Sequence, residues 1–156
     1  MKVIILAAGQ GTRMGVISES TPKSLLPIGE TNIICRLIKQ LLDRDITDIL
    51  IVLGFKEDLL REAIAKEVGE NVVTFVVNKN YKEDINILSL SLALKCIDTQ
   101  KFIIFEADCV YDDPAMDRII ESTFDDKSYW YTIGKFQETQ QGGILLADKS
   151  CSVVDL

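Results

Sequence analysis

The sequence predicts an α/β fold: a parallel sheet with helices over both faces. Three observations carry this. Short apolar runs alternate along the chain with longer segments of helical spacing. Within the runs, neighbouring positions are apolar instead of every second one, as in strands covered on both faces. No internal repeat, low-complexity tract or linker breaks the alternation, so residues 1–156 are expected to form one domain.

The first strand is expected from Val3 to Leu6, and the others at Asp48 to Leu53, Val72 to Val77, Phe102 to Phe105 and Trp130 to Ile133. Between them, Ile34, Leu37, Ile38, Leu41 and Leu42 recur at helical spacing within Ile33 to Leu42, and Leu59, Leu60, Ala63, Ile64 and Val68 make a second stripe. A third helix is expected from about Leu88 to Ile97. A fourth starts at Asp113-Pro114, with Asp113 as N-cap and proline at the first helical position. Near the end, Gly142 to Asp148 and Ser152 to Leu156 read as a β-hairpin. Its second strand stops at Leu156, which predicts a minimal or shortened C-terminal part and an open edge that self-association would cover.

Composition removes whole classes of function. Apolar residues make up 47% and charged ones 26%, as in a globular chain and unlike a disordered one. The net charge of −7 argues against a general electrostatic grip on nucleic acid or an anionic membrane. Any anionic ligand must meet a local cationic pocket. The chain has no histidine, which excludes His-based triads, His general acids and His-containing metal sites. Cys35, Cys96, Cys109 and Cys151 contain no C-x-x-C pair and are expected to be reduced and mostly buried thiols. The run Val3 to Ala8 ends in Gly9-Gln10-Gly11, too soon for a signal peptide. Nothing reaches the roughly 18 to 20 apolar residues of a spanning helix. The expected location is the cytoplasm.

The first strand is followed by Leu6-Ala7-Ala8-Gly9-Gln10-Gly11-Thr12-Arg13-Met14-Gly15. Glycines there let backbone N–H groups turn inward, and such a nest at the carboxyl end of a parallel strand suits phosphate oxygens. The loop matches neither the dinucleotide fingerprint, having Met14 where a third glycine belongs, nor the P-loop, lacking Gly-Lys-Ser/Thr. Taken alone it reads equally well as a tight turn. The second element is Thr21-Pro22-Lys23-Ser24-Leu25-Leu26-Pro27-Ile28. Prolines on both sides hold this segment extended, so Lys23 is aimed at little entropic cost.

These two segments resemble the signatures of the sugar-phosphate nucleotidyltransferases, also called nucleoside-diphosphate-sugar pyrophosphorylases: Leu-Ala-Ala-Gly-x-Gly-Thr-Arg-Met and Pro-Lys-x-Leu-Leu-Pro-Ile. The likeness is close from Leu6 to Ile28 and looser through Val52-Leu53-Gly54-Phe55 and Phe105-Glu106-Ala107-Asp108. It implies a doubly wound, mostly parallel α/β sheet of the nucleotide-diphospho-sugar transferase type. It also implies roles. Leu6, Ala7, Ala8 and Gly9 would lie along the nucleoside, Gly11, Thr12 and Arg13 would hold the triphosphate, and Lys23 would reach the phosphates near the reacting centre. Asp108 would bind Mg²⁺, with Ala107 standing where the family has glycine. The partners implied are an NTP and a phosphorylated small-molecule acceptor, a sugar 1-phosphate or a phosphocholine-like alcohol phosphate, with release of pyrophosphate.

Elementary chemistry agrees with that assignment. An attacking phosphate oxygen and the triphosphate repel each other, so the catalyst is a preset cluster of cations, backbone donors and a metal ion. The acceptor phosphate is largely ionised at neutral pH and needs no general base, so a histidine-free chain can run the reaction.

The stretch Asn78 to Leu90 looks like the region that carries Asn-Asn before an aromatic and Ser-Leu in phosphocholine-type members, with Ile85 for the first Asn and Leu88 for the aromatic. Asn86 and Ser89 are candidates either for contact with the base or for helix capping. Tyr129-Trp130-Tyr131 fits a buried strand better than an aromatic platform for a choline-like cation. A different class stays open throughout: a nucleotide-binding or regulatory module that keeps the loop without the acceptor site.

Overall fold

The computed structural model describes residues 1–11, 20–83, 86–122, 127–132 and 146–155. They fall into two compact units, Met1–Asp126 and Lys127–Leu156. The first unit contains β1 (Lys2–Ala7), a 3-10 turn (Lys23–Leu25), β2 (Pro27–Ile28), β3 (Thr31–Asn32) and α1 (Ile33–Leu42). It continues with β4 (Ile49–Leu53), α2 (Glu57–Glu67), β5 (Thr74–Val77), α3 (Ile87–Leu94), β6 (Phe102–Glu106) and α4 (Asp113–Glu121).

Four parallel strands form the main sheet in the order β5-β4-β1-β6. The chain steps outward from β1 to β4 to β5, then returns to place β6 on the other flank of β1. That reversal makes the carboxyl ends of β1 and β6 a topological switch point, where open α/β sheets leave a crevice for ligands. Side chains alternate as the pleat requires. Val3, Ile5 and Ala7 join Ile34, Leu37, Ile38 and Leu41 of α1, Leu60 and Ile64 of α2, and Met116 and Ile119 of α4 in the larger core. Ile4, Leu6 and Ala8 face the opposite way, with Leu50, Val52 and Ala93 of α3. Helices thus cover both faces, as a doubly wound sheet demands.

α1 spans the predicted residues, and its N-cap is Asn32, whose side chain accepts from the Cys35 amide at 3.0 Å. For α4 the capping expectation needs a correction. Asp112 is the N-cap, accepting from the Ala115 amide at 2.9 Å, while Asp113 is the first helical residue. Asp113 instead binds Gln40 and Arg44, each at 3.1 Å. Those bonds, Gln40 first and then Arg44, hold its carboxyl below the usual range.

Two further expectations change. β6 is the last strand of the sheet among the described residues, and Ile104 is 40% exposed, so this run is not covered on both sides. Tyr129, Trp130, Tyr131 and Thr132 form no strand and are exposed; Ile133 lies outside the described residues. Of the four cysteines, all free, only Cys35 is buried: Cys96 follows α3, and Cys151 sits with φ 62° in the hairpin turn. That hairpin forms the second unit's sheet, β7 (Leu146–Ala147) pairing antiparallel with β8 (Val153–Asp155). Asp148 closes its turn by accepting from the Ser150 and Ser152 amides at 2.8 and 3.0 Å. Among the described residues no helix is long and apolar enough to cross a membrane.

Glu67, at the end of α2, clamps α1 to β3. It accepts from Thr31 Oγ1, from Asn32 Nδ2 at 2.8 Å and from Lys39 Nζ at 3.4 Å. The Thr31 bond foremost, then Lys39 and Asn32, outweigh burial and hold its carboxyl below the ordinary range. A lowered carboxyl stabilises the fold above its unfolded value and loses that contribution as pH falls through the folded one. Glu67→Gln is therefore expected to cost about 1 kcal/mol at neutral pH, discounted for solvent screening. Urea unfolding should show the cost shrinking as the pH falls below the ordinary glutamate range and the wild-type carboxylate takes up its proton.

Candidate active site

The site is built at the switch point. β1 and β6 end level, with Leu6 opposite Glu106, and the Ala107 amide donates to the Leu6 carbonyl at 3.1 Å. The segments leaving the two strands therefore emerge side by side. After β1 come Ala8, Gly9, Gln10 and Gly11; after β6 come Ala107, 3% exposed, and Asp108. A buried small residue at 107 serves where the related signature has glycine.

Lys23 reaches this point from its proline-flanked turn. Pro22 is extended at φ −56°, ψ 141°, and the Leu25 amide donates back to the Pro22 carbonyl at 2.9 Å. The side chain runs beneath Gly11, where a Cβ would lie 2.8 Å from both Lys23 Cγ and Cε. Its ammonium ends 3.7 Å from Asp108 Oδ2. Gly11, Lys23 and Asp108 therefore meet in one place, although 12 and 85 residues separate them along the chain. Thr12 and Arg13 lie outside the described residues.

Gly11 has φ 64°, a conformation that costs an L-residue about 1 to 2 kcal/mol. Gly11→Ala is expected to displace Lys23 as well as strain the turn. Urea unfolding should show a loss of about 1 to 2 kcal/mol from the strained turn.

Asn86 and Ser89 part company. Asn86 stands at the N-cap of α3 with φ 68° and makes no side-chain cap; its Nδ2 donates to Glu106 Oε1 at 3.2 Å. Ser89 is 1% exposed, and its hydroxyl accepts from the buried Asn78 Nδ2 at 3.0 Å. Buried in that way, Ser89 is not open to a base, and it does not cap the helix. Its bond braces Asn78, whose amide donates to the Leu53 carbonyl at 2.8 Å.

No motif in the sequence singles out Glu106. Partial desolvation first, then the charge of Asp108, push its carboxyl above the ordinary range. Its position two residues before Asp108 on a strand was the available signal, since both carboxylates had to emerge at the same strand end. Gly54, part of the looser family likeness, has a packing reason of its own. A Cβ there would meet Tyr81 Cβ at 2.7 Å, the Ala8 carbonyl at 2.8 Å and Ala8 Cβ at 2.9 Å. Next to it the Phe55 amide donates to the Ala8 carbonyl at 3.1 Å, and the Phe55 ring tilts against Tyr81 with centroids 6.1 Å apart. Lys56 then lies over Phe55 and donates to the Ser20 carbonyl at 2.7 Å.

A glycine loop, an aimed lysine and strand-terminal carboxylates thus gather at the switch point of a parallel α/β sheet, where such sheets leave a ligand crevice. The chain belongs to the family of MobA-like NTP transferase domains, whose pattern matches residues 3–152. Over 92 residues it is 36% identical to the choline-phosphate cytidylyltransferase of Streptococcus pneumoniae, covering 59% of this chain and 38% of that one. It is 34% identical over 110 residues to the 2-aminoethylphosphonate cytidylyltransferase of Lancefieldella rimae, covering 70% and 44%. The solved CTP:phosphocholine cytidylyltransferase from S. pneumoniae (LicC) superposes with a TM-score of 0.60 at 32% identity, over 69% of this chain and 44% of that one. The chain thus spans about two fifths of the length of these curated relatives.

Proposed function

We propose that this chain carries out NTP-dependent nucleotidyl transfer: an NMP passes from an NTP to a phosphorylated small-molecule acceptor, and pyrophosphate leaves. The observation that carries the reading is the convergence of Gly11, Lys23 and Asp108 at the switch point. In this reading residues 1–156 act as one nucleotidyltransferase domain, with Leu6, Ala7, Ala8 and Gly9 lining the nucleoside and Gly11 and Thr12 offering donors to the triphosphate. Arg13 and Lys23 are the catalytic cations. Asn86 borders the nucleotide, and Ser89 contributes from behind by fixing Asn78. The acceptors named for the two relatives, each pairing a cationic nitrogen with a phosphate or phosphonate, favour a phosphocholine-like or aminophosphonate acceptor over a sugar 1-phosphate. Nucleoside triphosphates are held in the cytoplasm, which favours that location, and the β8 edge, which pairs only with β7 among the described residues, favours self-association.

Mg²⁺ is the cofactor of this proposal, and the donor set fits it. Asp108 and Glu106 are hard oxygen donors at one strand end, and no third Asp, Glu or Cys joins them as a preformed cage among the described residues. Mg²⁺ is commonly held in that way, by one or two carboxylates with substrate phosphates and water. Asp108 would hold it directly; when bound, it neutralises charge on the phosphates and orients them.

The chain's own residues do the rest. Lys23 faces the phosphates with a fixed positive charge that is worth most where transferred charge accumulates. The Gly11 turn keeps the lysine stem in place, so little reorganisation accompanies the reaction. Gly54 and Phe55 hold Ala8 by direct contact and so set the depth of the nucleoside site.

The test is pyrophosphate release from each of the four NTPs, with Mg²⁺ and a panel of phosphocholine, 2-aminoethylphosphonate and a sugar 1-phosphate. Acceptor-dependent release supports the reading. The same meeting of Gly11, Lys23 and Asp108 also fits a second reading, a nucleotide-binding module without catalysis. Calorimetry that finds NTP·Mg²⁺ bound but no acceptor bound would select it.

A further inference from the structure

The Lys23–Asp108 ion pair poses a problem for the residues that form it. If Lys23 serves phosphate and Asp108 serves a divalent cation, each has its own charged ligand, yet in the ligand-free chain they neutralise each other at 3.7 Å. Both side chains are partly exposed, 29% and 45%, so ligands can reach either one. Among the described residues Asp108 is the ion-pair partner of Lys23, whose stem runs under Gly11 and whose backbone turn begins at Pro22. Glu106 does not take the ammonium; its hydrogen bond goes to Asn86.

We propose that Lys23 is the resident counter-ion of Asp108, and that the two exchange partners when substrates bind, Lys23 for a phosphate oxygen and Asp108 for the divalent cation. This rests on the nucleotidyltransferase reading and adds an order to it. Either ligand arriving alone must break the pair, and the second then finds its partner already released. Nucleotide and cation therefore bind with positive coupling, and each raises the affinity of the other by the same factor. A partly exposed pair of this kind gives a factor of about two to five. The pair also keeps the carboxylate from adventitious cations, and the lysine from stray phosphates, until the productive complex assembles.

The experiment separates the two ligands. Mn²⁺ alone is titrated into the wild type, Lys23→Met and Lys23→Gln, followed by electron paramagnetic resonance. CTP and GTP are titrated in EDTA into the wild type, Asp108→Asn and Glu106→Gln, with circular dichroism confirming that every variant is folded. The exchange predicts that both Lys23 variants bind free Mn²⁺ about two- to fivefold more tightly than the wild type. It also predicts that Asp108→Asn binds a metal-free nucleotide more tightly by a similar factor, and that Glu106→Gln gains less. Unchanged or weaker Mn²⁺ binding in the Lys23 variants would overturn it, as would a gain in Glu106→Gln equal to that of Asp108→Asn, which a general field would produce. The underlying reading fails separately: a wild type that binds none of the four NTPs with Mg²⁺ removes both, whereas one that binds NTP·Mg²⁺ without these gains removes only the exchange.

Discussion

On the proposed function, Asp108→Asn is expected to lower acceptor-dependent pyrophosphate release by about a hundredfold or more, because it removes the carboxylate that would hold the divalent cation against the phosphates. The fold should not suffer. Asp108 follows the end of a strand, is 45% exposed at the side chain and has Lys23 as its ion-pair partner. Its charge also helps raise the Glu106 carboxyl. A raised carboxyl keeps its proton more tightly in the folded chain, a contribution that is full below the ordinary glutamate range and lost as pH rises through the folded value. Relieving that repulsion favours the variant only above the range where Glu106 ionises. Thermal unfolding should accordingly show a melting temperature equal to or slightly above wild type at neutral pH, and no gain in acid. A lowered melting temperature with proportionate loss of turnover would assign Asp108 to structure.

Gly54→Ala carries the second large effect, and here stability and binding should fall together. The added methyl would meet the Ala8 carbonyl, the Ala8 Cβ and the first side-chain carbon of Tyr81, the farthest at 2.9 Å, and none of these is the far end of a flexible chain. Such overpacking costs about 2 to 3 kcal/mol. Relief requires Ala8 to move, which breaks the 3.1 Å bond from the Phe55 amide and shifts the start of the nucleotide loop. Urea unfolding measures the first loss, and NTP calorimetry on the folded fraction measures the second. Unaltered NTP affinity in a destabilised variant would detach the Gly54 contact from the nucleotide site.

Much of the fold is readable because burial leaves a direct imprint on sequence. β1 and β4 are covered on both faces, and their uninterrupted apolar runs say so; α1 is striped at helical spacing and begins where its cap places it. The apolar run at Phe102 to Phe105 is a strand, as its residues predict, but it is not covered as they also predict, because a run of apolar residues does not reveal what lies against it. Trp130 and its neighbours illustrate the same limit: aromatic residues favour strands when packed, and these are exposed. At the candidate site, the placing of Lys23 beside Asp108 is legible through motif and strand-end position. Ser89 is not, since a serine at the start of a helix looks the same whether it faces a ligand or is buried against Asn78. The Asn86 bond to Glu106 is hidden too, being a meeting of side chains 20 residues apart whose juxtaposition depends on where β6 lies beside β1.

A crystal of this chain grown with Mn²⁺ and a non-hydrolysable NTP would locate both ligands, the metal through its anomalous signal. The expected result is a manganese peak bonded to Asp108, a phosphate oxygen within hydrogen-bond reach of Lys23 Nζ, and the Lys23–Asp108 pair opened. A nucleotide bound elsewhere, with that pair intact and no metal at Asp108, would contradict it.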